Sequence, residues 1–179
     1  MKMLKKLLAV VLTGAMALTL LTACGSNAVT EKDIADAMND MAKAAEEDIT
    51  FTPRAKEREM AKAIAALSDE DLKELEESLK NSSLPEKAKE ILGINAGGAN
   101  ETSRFVWYGA VFADEIGATG QAYNAMNNIL SQNAANADKL TGKKPGNIRY
   151  IGTALGTMTN HDGKQTTVRF IVVTAEVEN

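Results

Sequence analysis

A chain of 179 residues with a formal charge of −4, one histidine and one cysteine has little from which to build a reactive centre. A structural zinc site takes four Cys or His ligands, a disulfide takes two cysteines, and a Ser-His-Asp triad would have only His161 as its base, so these classes are nearly closed. The acidic balance argues against nucleic acid as a partner and against a polybasic grip on anionic lipid.

The chain opens MKMLKKLLAVVLTGAMALTLLTAC. Lys2, Lys5 and Lys6 make a cationic start, residues 7–21 are uncharged and mostly apolar, and Thr22 and Ala23 are small. This is the three-part layout of a secretory signal peptide, and its apolar run falls short of the roughly 20 residues of a permanent span. Leu21-Thr22-Ala23-Cys24 resembles the lipobox of bacterial lipoproteins. The resemblance implies a diacylglyceryl group on the Cys24 sulfur, cleavage between Ala23 and Cys24, and a further acyl chain such as palmitate on the new amine. Two acyl chains anchor stably where one binds only marginally. The expected organisation is a cleaved signal peptide at 1–23, a lipidated tether at 24–30 and one extracytoplasmic domain at 31–179. The expected location is the outer face of a bacterial cell membrane, with membrane lipid as partner through Cys24. Gly25, rather than Asp, permits sorting to an outer membrane where the host has one. An uncleaved anchor helix with an incidental cysteine is the plainer alternative, and it puts the domain on the same side.

Along the mature chain, Thr30-x-x-Asp33 reads as a helix start. Ile34, Met38, Met41 and Ala45 form its apolar stripe, and Asp36, Asn39, Asp40, Lys43 and Glu46 lie opposite. Thr52-Pro53 reads as the start of a second helix with Met60, Ile64 and Leu67 inward. Ser68 caps a third, carrying Leu72, Leu75 and Leu79, which Asn81-Ser82-Ser83 breaks. Pro85 to Leu92 is a short helix closed by Gly93. Residues 31–92 thus read as a helical arm and 93–103 as a Gly/Asn/Ala-rich linker to an α+β core at 101–179.

The core begins with RFVWYGAVF, which gathers Phe105, Trp107, Tyr108 and Phe112, half of the chain's aromatic residues. It reads as a helix that ADEIGATG would end, and a strand over 105–112 is the alternative. A helix over 121–136 follows, with Tyr123, Met126, Ile129 and Leu130 inward, then a turn at Lys143-Lys144-Pro145-Gly146. Two strands then flank the Asp162-Gly163 turn. The second, VRFIVVTAEV, is apolar on both faces, so helices must cover both sides or a third strand must exist. The fold class is therefore α+β, mainly helical, ending in an antiparallel β-hairpin or small sheet. Gly152 and Gly156 in the first strand mark a bulge or a close approach.

Candidate sites are few. Trp107, Tyr108, Phe112 and Tyr123 could wall an apolar ligand pocket, although clustered rings more often form core. His161 lacks a neighbouring nucleophile and reads as a turn residue, and Asn160-His161-Asp162-Gly163 lacks the spacing of a calcium loop. The acidic run from Asp69 to Glu77 suits a solvated helix start, and Met38, Met41 and Met60 read as core. No glycine-rich nucleotide loop is present, so no cofactor is expected.

Ile151-Gly152-Thr153-Ala154, the DG turn and the closing VRFIVVTAEV resemble the final hairpin of the CAP superfamily of SCP-like extracellular domains. That family's paired His and Glu have no counterpart here, so no catalytic residue is carried over. The sequence points first to a non-enzymatic lipoprotein that binds an envelope component or protein partner. A carrier of small ligands or lipids stands second and an envelope hydrolase third.

Overall fold

The computed structural model describes residues 29–68, 70–75, 85–94, 102–114, 116–159 and 163–178. Cys24, Leu79, the break at 81–83, most of the linker and the turn residues His161 and Asp162 lie outside the described residues.

The elements in chain order are α1 (Glu31–Ala44), β1 (Thr50–Pro53), α2 (Ala55–Ala65), a helical stretch at 70–75, α3 (Glu86–Leu92), β2 (Arg104–Phe112), α4 (Ala118–Ala125), β3 (Lys144–Pro145), β4 (Ile148–Thr159) and β5 (Gln165–Glu178). β4 and β5 form the expected hairpin. β2 pairs antiparallel with the other side of β5, and β1 adds in parallel to β4, giving the order β1-β4-β5-β2. β3 extends the β4 side of β5 near its end.

β5 is buried on both faces because both possible causes hold: a third strand pairs with it, and helices cover the sheet on each side. On one face Phe105, Trp107, Ile151, Ile171 and Val173 meet Ile34, Met38 and Met41 of α1 and Ala122, Met126 and Ile129. On the other, Val106, Val168, Phe170 and Val172 meet Ala61 and Ile64 of α2, Leu72, Leu75, and Ala88 and Leu92 of α3. Each large aliphatic side chain so buried contributes roughly 1.5–3 kcal/mol. Gly152 sets how closely α2 approaches. A Cβ there would lie 1.9 Å from the backbone of Glu57 and Arg58, so the helix backbone rests directly on the strand.

The α+β class stands, but the organising element is the sheet, and "mainly helical" overstates the helices. Residues 104–112 are a strand, not a helix. Their side chains alternate between two apolar environments, Phe105 and Trp107 to one and Val106 to the other, so a strand satisfies what looked like a continuous apolar run. Thr52-Pro53 ends β1 rather than starting a helix, and α2 begins two residues later at Ala55. Proline suits this edge strand, where its missing N–H breaks no ladder bond. The stretch read as a helical arm is built into the core: it supplies an edge strand and a helical layer to each face. The helix expected over 121–136 begins at Ala118, widens into a π-helical turn at Met126–Leu130 and is followed by a 3-10 turn at Ala137–Leu140.

Candidate functional site

The four aromatic residues expected to wall one pocket do not share a wall. Trp107 is buried in the α1 layer, stacked on Phe105 at 5.8 Å between centroids, and donates from Nε1 to Gln132 O at 3.2 Å. Tyr123 packs on the same side. Tyr108 packs in the opposite layer, beneath α2 and α3, and Phe112 stands exposed at the end of β2. The sheet itself lies between the two pairs.

The structure instead brings together two buried charged clusters, one on each face. Under α2, Glu57 is fully buried. Its carboxylate accepts from Arg54 Nε at 2.6 Å and from Thr174 Oγ1 at 2.7 Å. Burial pushes the Glu57 carboxyl up, but these two bonds and the Arg54 charge outweigh it, so it titrates below the ordinary glutamate value. The Arg54 guanidinium carbon also sits over the Tyr150 ring, 3.6 Å from its centroid. Arg104 completes the group. Its Nη1 sits 3.9 Å from Glu57 Oε1 and its Nη2 donates to Leu92 O at 3.2 Å, while buried Nε and Nη1 have no hydrogen-bond partner. Burial lowers the Arg104 pKa, Glu57 opposes that shift, and Arg54 adds to it.

Under α1 the buried cation is Arg169. Nε donates to Gln121 Oε1 at 2.7 Å, Nη1 to Thr153 Oγ1 at 3.2 Å and Nη2 to Val29 O at 2.7 Å. Gln121 is itself held by its donation to Ile116 O at 2.8 Å. Burial again lowers the guanidinium pKa, opposed by Glu31 and Asp33. Glu31, at the start of α1, accepts from Thr153 N–H at 2.7 Å and from Arg58 Nη2 at 2.7 Å. Residues 29–31 are therefore fastened to β4, β5 and α2 by polar bonds, and Arg169 is braced in turn by Gln121 of α4. Sequence reasoning missed this fastening. Its one visible signal was a lone arginine inside the apolar run VRFIVV.

Two asparagines finish the sheet edges in the same way. Asn39 donates to Phe51 O at 3.0 Å and accepts from Phe51 N–H at 2.7 Å along β1. Asn136 donates to Arg104 O at 2.8 Å and accepts from Val106 N–H at 3.2 Å along β2. Each side-chain amide imitates the next strand and blunts an edge that could otherwise recruit another chain.

Among the described residues no group of His, Cys, Asp and Glu could hold a metal ion, and no helix is long and apolar enough to cross a membrane. Comparison with family models, curated proteins and solved structures finds no match to this chain.

Proposed function

We propose that this chain is a membrane-anchored extracytoplasmic lipoprotein whose folded domain is a non-enzymatic binding module of the bacterial cell envelope. The observation that carries the reading is the sequence of residues 1–24: a cationic start, an apolar run, Leu21-Thr22-Ala23 and the chain's single cysteine, in that order. The fold is compatible with such a tether. The described domain begins at Val29, five positions after Cys24, and its first residues are bonded firmly into the sheet. The clustered charges under α2 and α1 are engaged with one another, with neutral side chains and with backbone, which suits a structural role better than catalysis. The exposed outer face of α1, with Lys32, Asp36, Asp40 and Lys43, is a surface that a protein partner could read.

The test is fractionation and intact mass of the native chain beside Cys24→Ser. The native chain should partition with membranes, lack residues 1–23 and carry a diacylglyceryl mass on Cys24, while Cys24→Ser stays uncut. Identical processing and partition of the two would overturn the reading. In-cell crosslinking through Lys32, Lys43 and Lys62 then tests for a partner. Capture of one reproducible envelope protein is the expected result, and none above background removes the interaction part of the proposal.

A further inference from the structure

β4 is 12 residues long, and β1 covers only its first four. Beyond Ile151 the outer side of β4 has no strand beside it among the described residues. Backbone groups alternate in direction along a strand, and two bonds fix that direction here. Ile151 O accepts from Arg54 N–H at 2.9 Å and Thr153 N–H donates to Glu31 at 2.7 Å, so the odd-numbered residues turn their N–H and C=O groups away from β5. Leu155 and Thr157 continue that series. Among the described residues no hydrogen bond reaches their outward groups. Both residues are exposed, Leu155 to 42%.

Other stretches of edge are closed. Asn39 occupies β1, which ends in Pro53. The Glu31 carboxylate, held by Arg58, occupies β4 at Thr153, and Asn136 occupies β2 at Arg104 and Val106. Residues 155–157 carry none of these devices. From Tyr150 to Thr159 there is also no charged residue and no proline, the usual guards of an open edge. Two copies of a chain with a formal charge of −4 repel each other, and this neutral stretch lets them approach without setting like charges together. The helix above leaves room for a neighbour. α2 ends at Ala65, whose Cβ lies 3.3 Å from a Cβ built on Gly156, so the helix stops at the level of Gly156. An antiparallel neighbour centred there would bring its own α2 in from the opposite direction, end to end rather than side by side.

From the open backbone groups, the neutral edge and the end of α2, we propose that a second copy of this chain adds to β4, strand against antiparallel strand, about a two-fold axis at Gly156. Leu155 of one copy stands opposite Thr157 of the other, and each such pair exchanges two backbone hydrogen bonds. This register uses the two open residues and stops at Thr153, which Glu31 already holds. The same patch meets itself, so the contact closes as a dimer instead of growing into a filament. So short a seam falls below the about 1,200 Å² of a stable interface, so the dimer is transient in dilute solution and is read best by covalent trapping. The pairing does not depend on the lipid anchor, although confinement to one membrane would favour it by raising the local concentration.

The experiment traps the register with disulfides. Leu155→Cys and Thr157→Cys are made in the full chain, the second with an added tag so that the three possible dimers separate by size. They are expressed alone and together, and the cells are oxidised with copper–phenanthroline. Strand partners that exchange hydrogen bonds have Cα atoms about 5.5 Å apart, within disulfide reach. The mixed dimer should exceed either homodimer well beyond the statistical ratio of random encounters. Thr157→Pro is then added to the first chain and Leu155→Pro to the second, which removes both N–H donors of the remaining pair. Proline is tolerated on an outer edge, because these N–H groups take no part in the ladder with β5. The mixed band should fall about tenfold, the worth of two net hydrogen bonds. Urea midpoints check that every chain folds, and where a proline chain does not, the ratio of mixed dimer to homodimer decides alone. Peptide masses locate each link, so that disulfides through Cys24 do not enter the count. A statistical mixture of dimers, a mixed band that survives the prolines in folded chains, or no disulfide between 155 and 157 overturns the pairing. A band that joins either position to a different protein also overturns it and gives the edge to that partner.

Discussion

The two buried arginines lie on opposite faces of one sheet and are treated differently. Arg169 has a partner for each guanidinium nitrogen, and all three partners are neutral groups drawn from different parts of the chain. Arg104 has a nearby carboxylate but only one hydrogen bond, with Nε and Nη1 left unmade. A buried charge is stabilised by directed bonds more reliably than by an opposite charge at a distance, because the desolvation penalty must be met atom by atom. On this reasoning Arg169 is a fastener that the fold depends on. Arg104 is tolerated because Glu57 stands beside it.

The largest effect should follow from removing Glu57. Glu57→Leu would leave Arg104 buried without the carboxylate that stands 3.9 Å from its Nη1 and strip Arg54 and Thr174 of their acceptor. A buried ion pair broken on one side loses about 3–5 kcal/mol, read as the shift in urea unfolding. The same residue fixes an acid response. Its folded pKa is depressed, so its contribution is fully present above the ordinary glutamate range and fades as pH falls through the lower folded value. The urea midpoint should therefore drop on acidification, and Glu57→Gln should flatten that part of the profile. An unchanged profile in Glu57→Gln would mean that the acid response belongs to another group.

Gly152→Ala tests whether the cluster under α2 depends on the close approach of that helix. The new methyl must displace the backbone of Glu57 and Arg58, and overpacking of this kind costs about 3 kcal/mol. Arg169→Met should follow, at about 2–3 kcal/mol, since Gln121, Thr153 and the Val29 carbonyl each lose a donor. It should also loosen the chain entry, so amides at residues 30–34 should exchange faster than those of β5. Equal protection of both segments would show that Val29 is held by something other than Arg169.

How much of this was legible in the sequence depends on the range of the interaction. Local signals were read correctly: the Thr30 capping box forms, Ser68 Oγ accepts from Asp71 N–H at 3.2 Å, and Gly93 closes α3 at φ 66°. So was the hairpin of β4 and β5, with Gly163 at φ 76°. The misreadings came where a distant part of the chain decides the outcome. RFVWYGAVF carries no polar alternation because both its faces are covered, and a four-residue edge strand ending in proline leaves almost no pattern. Asn39 sits on the polar side of α1, where nothing local distinguishes a solvated amide from one that caps a strand 12 residues later. Arg169 and Arg104 could be flagged as charges beside apolar runs, but their partners lie 16 to 140 residues away for the first and 12 to 47 away for the second.

The smallest expected effect is the most discriminating one. Arg104→Met removes a desolvated guanidinium and fills its volume with a flexible apolar chain. What is lost is one long bond to Leu92 O, which lies at a helix end whose carbonyls are without intrahelical partners in any case. What is gained is relief of the unmade bonds at Nε and Nη1, while Glu57 keeps Arg54 and Thr174. Replacing buried charges by apolar groups of similar size is often neutral or stabilising, so the change in unfolding free energy should stay within about 1 kcal/mol or favour the variant. A loss as large as that of Arg169→Met would show that Arg104 is also a fastener, satisfied by water at its two open nitrogens. The contrast between the two faces would then be one of hydration rather than of design.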